Sequence, residues 1–278
     1  MMNSRALLNL VLLLVALALV AIVVFAPGPK KNTIVKLTSL DKTAAQHILI
    51  TRNNQEDLVF KKQNGHWFIS KPIHTAANPL RITSLLDILD TTSHSRFSAR
   101  DRDLAPFGLK TPLATLTIDN TQIKFGGTEP VSRRRYVMIG DQIHLITDSF
   151  YHQLKIELPS FVANQLFDSP ITGITLPAMV INKKPQGSWQ LTPANKTVDA
   201  DKLQAFIDRW QTLQAERIER SDSSPATGSV RVSLENGQEI SFDVIKSDSQ
   251  TTLRRNDLGL QYKLFPKQAD ALFSVTEQ

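Results

Sequence analysis

The chain has 278 residues and no cysteine, which excludes disulfide bonds and thiolate metal sites. Its formal net charge is +6, but the first 33 residues hold three basic and no acidic side chains, so 29 basic face 26 acidic residues in the remainder. So small an excess does not indicate a nucleic-acid-binding protein, which needs concentrated basic charge.

The N-terminal part of the chain contains one long apolar run. Residues 6–25 are 20 in number, and Asn9 is their only strongly polar residue. As a helix they would span about 30 Å of hydrocarbon. The alternative is a cleaved signal peptide, whose apolar core usually has only about 7–15 residues. We therefore predict a short tail at 1–5, a transmembrane anchor at 6–25 and a linker at 26–33.

Residues 34–157 are predicted to form a first α+β repeat. Asn78 followed by Pro79 is typical of a helix start, and the apolar spacing of the next ten residues predicts an inward-facing stripe. The stripe consists of Ile82, Leu85, Leu86 and Leu89. Short apolar runs between polar turn residues predict strands. These lie at 34–37, 47–50, 58–60, 67–69, 96–97, 116–118, 122–125, 136–138 and 143–146, and a short helix is predicted near 148–155.

Residues 171–278 are predicted to form a second repeat. A tryptophan-led strand and a proline again precede a helix, here beginning near Asp199. Its stripe of Leu203, Phe206, Ile207 and Trp210 has the same spacing as the first. The connector, residues 158–170, is apolar, and we predict that it packs against the two repeats rather than forming a flexible linker. The predicted fold is α+β: two tandem related repeats, each a twisted, mainly antiparallel sheet packed against a helix, after one N-terminal transmembrane helix.

Three further features have structural interpretations. Trp67 and Trp189 occupy equivalent places in the two repeats, and Trp210 lies on the second helix stripe, so all three are predicted to be core residues. Gly126-Gly127 follows a strand but opens no helix, so it is interpreted as a turn rather than a phosphate-binding loop.

Several short motifs occur in a fixed order along the chain. They are the strand end from Trp67 to Pro72, the helix start at Asn78, Phe107-Gly108-Leu109 with Pro112, Gly126-Gly127, and Tyr136-Val137. This pattern resembles the bacterial domain-of-unknown-function family DUF4340. The resemblance implies a single-anchor envelope protein, in some cases associated with ABC-type export systems, and carries over no catalytic residues.

Membrane orientation is left open by the residues themselves. Lysines follow the apolar run, so counting flanking charges would place the domain in the cytoplasm, whereas long domains translocate largely regardless of such charges. The resemblance favours the bacterial cytoplasmic membrane, with a periplasmic C-terminal domain. A nucleic-acid binder would require the reverse orientation.

No catalytic, metal or cofactor site is expected. The six histidines lack the close pairs of zinc sites. Asp101 and Asp103 could form a carboxylate pair for acid–base chemistry, but a polar loop favours two solvated charges. One alternative stays open: an envelope hydrolase that uses Asp or His side chains in a groove between the repeats.

Two basic clusters are the candidate contacts with a partner or with lipid. They consist of Arg133, Arg134 and Arg135 in the first repeat and Arg254 and Arg255 in the second. Guanidinium groups bind phosphates and carboxylates in a bidentate manner. The alternative is a solvated hairpin whose charges protect a sheet edge. The sequence thus predicts a non-catalytic membrane-anchored binding or scaffold subunit, whose partners are the membrane and other envelope proteins, without a nucleic acid or an identified small-molecule substrate.

Overall fold

The computed structural model describes residues 12–17, 35–193 and 198–275. Residues 12–17 are helical and exposed. Within these described ranges, no helix combines the length and the apolar character needed to cross a bilayer. Most of the predicted anchor at 6–25 and all of the predicted linker at 26–33 lie outside the described residues.

The chain from residue 35 onward is built mainly from short strands. The strands are β1 (Val35–Lys36), β2 (His47–Arg52), β3 (Leu58–Gln63), β4 (His66–Lys71), β5 (Thr75–Ala76), β6 (Thr92–Ser93), β7 (Ser95–Ser98), β8 (Ala114–Ile118), β9 (Thr121–Thr128), β10 (Arg135–Ile139), β11 (Gln142–Ile146), β12 (Ile171–Leu176), β13 (Met179–Lys183), β14 (Trp189–Thr192), β15 (Ala215–Arg220), β16 (Gly228–Leu234), β17 (Glu239–Lys246), β18 (Thr251–Arg255) and β19 (Leu260–Leu264). The α-helices are α1 (Pro79–Leu86), α2 (Tyr151–Leu154), α3 (Ala200–Gln211) and α4 (Pro266–Ala269). Short 3-10 helices lie at Asp87–Asp90, Ala105–Phe107, Leu158–Phe161 and Asp270–Leu272.

These strands form two large antiparallel sheets. The first has the order β5-β4-β3-β2-β8-β9-β10-β11-β7, and the second has the order β14-β13-β12-β16-β17-β18-β19-β15. In the first sheet, the four consecutive strands β8–β11 lie between the group β2–β5 on one side and β7 on the other. In the second sheet, β16–β19 lie between the group β12–β14 and β15. The small strands β1 and β6 pair separately. The fold is therefore mixed α+β, dominated by antiparallel sheets with few helices.

Both predicted helix starts are confirmed. The Asn78 side chain accepts hydrogen bonds from the backbone N–H groups of Leu80 and Arg81, and Pro79 opens α1. The Asp199 side chain accepts one from the N–H of Asp201 at the start of α3. These side chains satisfy N–H groups that have no partner within the helix. All residues of the two predicted stripes are buried.

The connector, residues 158–170, packs into the apolar core and touches both sheets. The Phe161 ring lies 5.3 Å from that of Phe60 on β3. The Phe167 ring lies 6.0 Å from that of Phe242 on β17 and 6.4 Å from that of Trp210 on α3. Both phenylalanines are almost completely buried. The apolar core is therefore continuous from one sheet to the other.

The three tryptophans differ in burial. Trp210 is 0% exposed, as predicted, and its indole N–H donates to the carbonyl oxygen of Leu272 at 3.1 Å. Trp67 and Trp189 also pack against the core, but they are only half-buried. The physical reason is their place on β4 and β14, near the sheet edges, where the Trp189 indole N–H instead reaches Gln204 on α3 at 2.7 Å.

Candidate functional site

A groove lies where the two sheets and the connector meet. Its volume is about 320 Å³, and it is open to solvent. Four segments form its wall: the β5 edge of the first sheet, the connector, the start of β17, and the β18–β19 hairpin. Its titratable and amide lining groups include His74, Gln165, Asp168, Glu239, Arg255 and Asp257.

The connector joins the edge strands of the two sheets next to this groove. The Ala163 N–H donates to the carbonyl oxygen of Ala76 on β5 at 2.9 Å. The Ala215 N–H on β15 donates to the carbonyl oxygen of Asn164 at 2.9 Å, and the Asn164 side-chain amide donates back to the Ala215 carbonyl oxygen at 3.2 Å. The groove walls therefore cannot separate without breaking these hydrogen bonds.

One ion pair of the groove has a fixed geometry. The Arg255 side chain is 15% exposed and donates from Nε and Nη2 to the two carboxylate oxygens of Asp257, at 3.2 and 2.6 Å. Burial raises the pKa of the Tyr262 phenol to about 12, against the opposing effect of the Arg255 charge. The phenol is therefore protonated at neutral pH. Asp168 and His74 are exposed at the rim.

Carboxylates, a guanidinium group and amides thus face one concave surface. Such an arrangement can bind a polar, charged segment by hydrogen bonds and ion pairs, because its own side chains are already oriented.

Residues 67–236 match the model of a family described as a domain of unknown function, DUF4340. The chain belongs to the DUF4340 family. No curated protein and no solved structure matches it. The DUF4340 match begins on β4 and ends in the turn between β16 and β17, so it includes the connector and the β5 side of the groove.

Two glycine-containing segments of the DUF4340 resemblance pack against each other. A Cβ atom on Gly126 would lie 2.3 Å from the carbonyl oxygen of Phe107, and one on Gly108 would lie 2.7 Å from the backbone nitrogen of Gly127. Gly126 and Gly127 lie within β9, so their interpretation as a turn is wrong. Glycine is required at position 126 because the 3-10 helix at Ala105–Phe107 packs directly on β9. The chain does not reverse direction there.

Arg135 is buried, in contrast to the exposed contact that the arginine triplet predicts. Its side chain is 8% exposed; Nη1 donates to the carbonyl oxygen of Gly126 at 2.6 Å, and Nη2 to Asp148 at 2.7 Å. Its guanidinium carbon lies 4.2 Å from the centre of the Tyr151 ring. Hydrogen bonding from Arg135 lowers the pKa of Asp148. The ion pair of Arg135 with Asp148 thus links β10 to the segment that precedes α2.

The other four candidate arginines have separate places. Arg133 is exposed and Arg134 half-buried in the loop before β10. Arg254 donates to the backbone carbonyl oxygens of Asp222 and Ser224 and to the carboxylate of Asp243, so it secures a loop to the second sheet. Hydrogen bonding from Arg254 lowers the pKa of Asp243. Among the five, Arg255 alone lines the groove.

The two basic clusters do not hold equivalent positions in the two sheets. Arg135 begins β10, whereas Arg254 and Arg255 end β18. These strands hold corresponding places in the two sheets, so the clusters lie at opposite ends of them.

The remaining candidate groups lie apart from the groove. Asp101 and Asp103 are exposed in the loop after β7, where an Asp103 carboxylate oxygen accepts from the Ala105 N–H at 3.0 Å. His144 is buried, and its Nδ1 lies 2.9 Å from Ser93 Oγ. Burial, followed by the Arg96 charge, lowers the pKa of His144. Within residues 12–17, 35–193 and 198–275, no three His, Asp or Glu side chains are grouped to hold a metal ion.

Most polar groups of the groove were not predicted from the sequence. His74, Asp168, Glu239 and Asp257 belong to four segments that are distant in sequence, and none of them lies in a recognisable motif. The connector brings two of these segments together: the Ala163 N–H donates to the Ala76 carbonyl oxygen on β5, and the Pro170 carbonyl oxygen accepts from the Glu235 N–H just before β17.

Proposed function

We propose that this protein is a non-catalytic binding or scaffold subunit of the cell envelope, anchored in the bacterial cytoplasmic membrane, with its folded part in the periplasm. It docks onto a membrane complex such as a transporter. The anchor rests on the 20-residue apolar run at 6–25. The observation that carries the binding role is the groove, because it is concave, both sheets contribute to its wall, and charged side chains of the connector and the second sheet line it.

The groove suits a protein segment better than a small molecule. It is open to solvent, and exposed charged side chains such as Asp168 and Glu239 line it, unlike an enclosed apolar cavity of the kind that buries most of a ligand. A hydrolase stays the alternative: Asp101 and Asp103 do not line the groove, but His74, Asp168 and Asp257 do.

We further propose that residues 34–157 and 171–278 are related repeats. The agreement of strand order between the two sheets supports a common origin. So does the place of the capped helices: α1 and α3 each follow the strand group that ends in β5 or β14. The groove would then lie between two copies of one module, joined by the connector.

Affinity purification of the full-length chain after gentle solubilisation tests the binding role. We expect a membrane protein to co-purify, and we expect Asp168→Arg to remove most of it, because this change reverses a charge at the groove rim. The matched control is Glu216→Arg, since Glu216 is also exposed but lies on β15 outside the groove lining. Equal recovery with both variants would contradict the groove as the docking site, and a C-terminal reporter active in the cytoplasm would contradict the periplasmic placement.

A further inference from the structure

The loop between β9 and β10, residues 129–134, places an apolar side chain beside two arginines. We call it the basic hairpin loop. Val131 is 90% exposed, more than any other large apolar side chain in the described part of the chain. Arg133 is exposed and Arg134 half-buried next to it. An exposed apolar tip with adjacent guanidinium groups matches the boundary between lipid headgroups and acyl chains.

The loop has a fixed conformation in which its single acid faces inward. The Glu129 carboxylate accepts from the Ser132 hydroxyl and N–H, both at 2.6 Å, and from the Val131 N–H at 3.1 Å. The Glu129 N–H donates to the carbonyl oxygen of Arg134 at 2.7 Å. The Ser132 hydroxyl is the main cause of the lowered pKa of Glu129. The carboxylate therefore accepts its hydrogen bonds within the loop, while Arg133 is exposed and Arg134 half-buried beside it.

The basic hairpin loop lies near the point where the chain enters the fold from its N-terminal segment. Arg135, the residue after the loop, pairs with Ile146 at the end of β11, and the adjacent Leu145 pairs with Ser95 at the start of β7. Two residues earlier, Ser93 on β6 pairs with Val35, the first residue of β1. Three strand spacings of about 4.8 Å each separate the loop from that entry point.

We propose that the basic hairpin loop contacts the anionic phospholipid surface of the membrane that anchors the chain. This inference rests on the proposed membrane anchorage. From residue 25 to Val35 the chain can extend by about 35 Å at most, which keeps the entry end of the first sheet close to the bilayer. Each arginine near an anionic surface favours contact by roughly fivefold.

A single fluorescent label tests the contact, because the chain has no cysteine of its own. Full-length Val131→Cys carries an environment-sensitive fluorophore and is reconstituted into vesicles of phosphatidylcholine alone or mixed with phosphatidylglycerol, each with nitroxide-labelled lipid as a quencher. The matched control is Ser249→Cys in the β17–β18 loop, which holds the corresponding place in the second sheet but has Asp248 in place of arginine. The labelled variant is also made with Arg133→Ala and Arg134→Ala together.

We expect lipid quenching at position 131 in vesicles with phosphatidylglycerol, weaker quenching in phosphatidylcholine alone, and none at position 249. The double arginine change should lower the ratio of contacting to free loop by roughly fivefold for each arginine. If the chain floats with the vesicles but the label at position 131 is quenched no more than the label at position 249, the loop contact is wrong while the membrane anchorage stands. If the label at position 131 is shielded from water in native membranes but not in lipid vesicles, the loop contacts an acidic protein rather than lipid. Failure to float with either vesicle would overturn the proposed anchorage and this contact with it.

Discussion

Arg135→Ala is expected to destabilise the fold strongly, whereas the same change at its neighbour Arg133 is not. The Arg135 guanidinium is buried and binds Asp148 through two nitrogens, the Gly126 carbonyl oxygen through a third, and the face of Tyr151. Removing one partner of a buried ion pair costs about 3–5 kcal/mol, because the other charge remains without compensation. The Asp148 side chain is 26% exposed, so we expect about 3 kcal/mol, the lower end of that range.

For a domain of this size, each kcal/mol lowers the melting temperature by about 2–4 °C, so Arg135→Ala should melt about 6–12 °C lower. The measurement is thermal unfolding of the full-length chain in mild detergent, followed by circular dichroism. Arg133→Ala is the matched control, since an exposed side chain without such contacts changes stability by less than about 0.5 kcal/mol. Arg135→Met combined with Asp148→Leu should recover most of the loss, because no unpaired charge remains.

The pH dependence provides a second check on the same ion pair. Arg135 lowers the pKa of Asp148 in the folded protein. The stability from this carboxylate is therefore present above its unfolded pKa of about 3.9 and is lost as the pH falls through the lower folded pKa. The difference in stability between the wild type and Arg135→Ala should narrow below about pH 4. Equal melting of Arg135→Ala and Arg133→Ala at neutral pH would refute the structural role of Arg135.

Three further changes test other parts of the fold. Trp210→Ala should cost about 3–5 kcal/mol by urea unfolding and Trp67→Ala clearly less, because only the Trp210 ring is fully buried; equal losses would contradict these placements. Gly126→Ala should lower the melting temperature sharply, since its Cβ would meet the Phe107 carbonyl oxygen, whereas Ala163→Gly, at a half-buried connector position, should have a small effect. His144 should contribute stability that is full above about pH 6.5 and is lost as the pH falls through its lowered folded pKa; a wild-type and a His144→Gln protein with the same stability profile between pH 5 and 7 would contradict this.

Local chemistry made the helices predictable. Asn78 with Pro79 and Asp199 are strong start signals, and each stripe has the helical period. Most strands were also predictable, because polar turn residues separate short apolar runs. The burial of Arg135 could have been inferred from strand alternation: Arg135 and Val137 share one face of β10, and Val137 belongs to the core. Because Arg135 directly follows Arg133 and Arg134, the same residues also fit an exposed basic cluster.

The groove could not be predicted, for a different reason. Asp168 and Glu239 are 71 positions apart, and neither residue type nor spacing relates them. Their segments meet because the Glu235 N–H donates to the Pro170 carbonyl oxygen and Ile171 pairs with Leu234, and these are long-range contacts without a sequence signature. In the same way, Gly126 and Gly127 were interpreted as a turn because the segment that packs on them, near Phe107, lies some 20 residues earlier.

Photo-crosslinking in intact membranes tests whether the groove binds another protein of the envelope. A photoreactive amino acid replaces Gln238, which lines the groove, or, as the control, Asn120 at the tip of the β8–β9 turn; both positions are exposed. We predict a discrete crosslinked product at position 238 that Asp168→Arg abolishes, and no such product at position 120. Equal crosslinking at both positions, or none at position 238, would show that the groove is not the docking site.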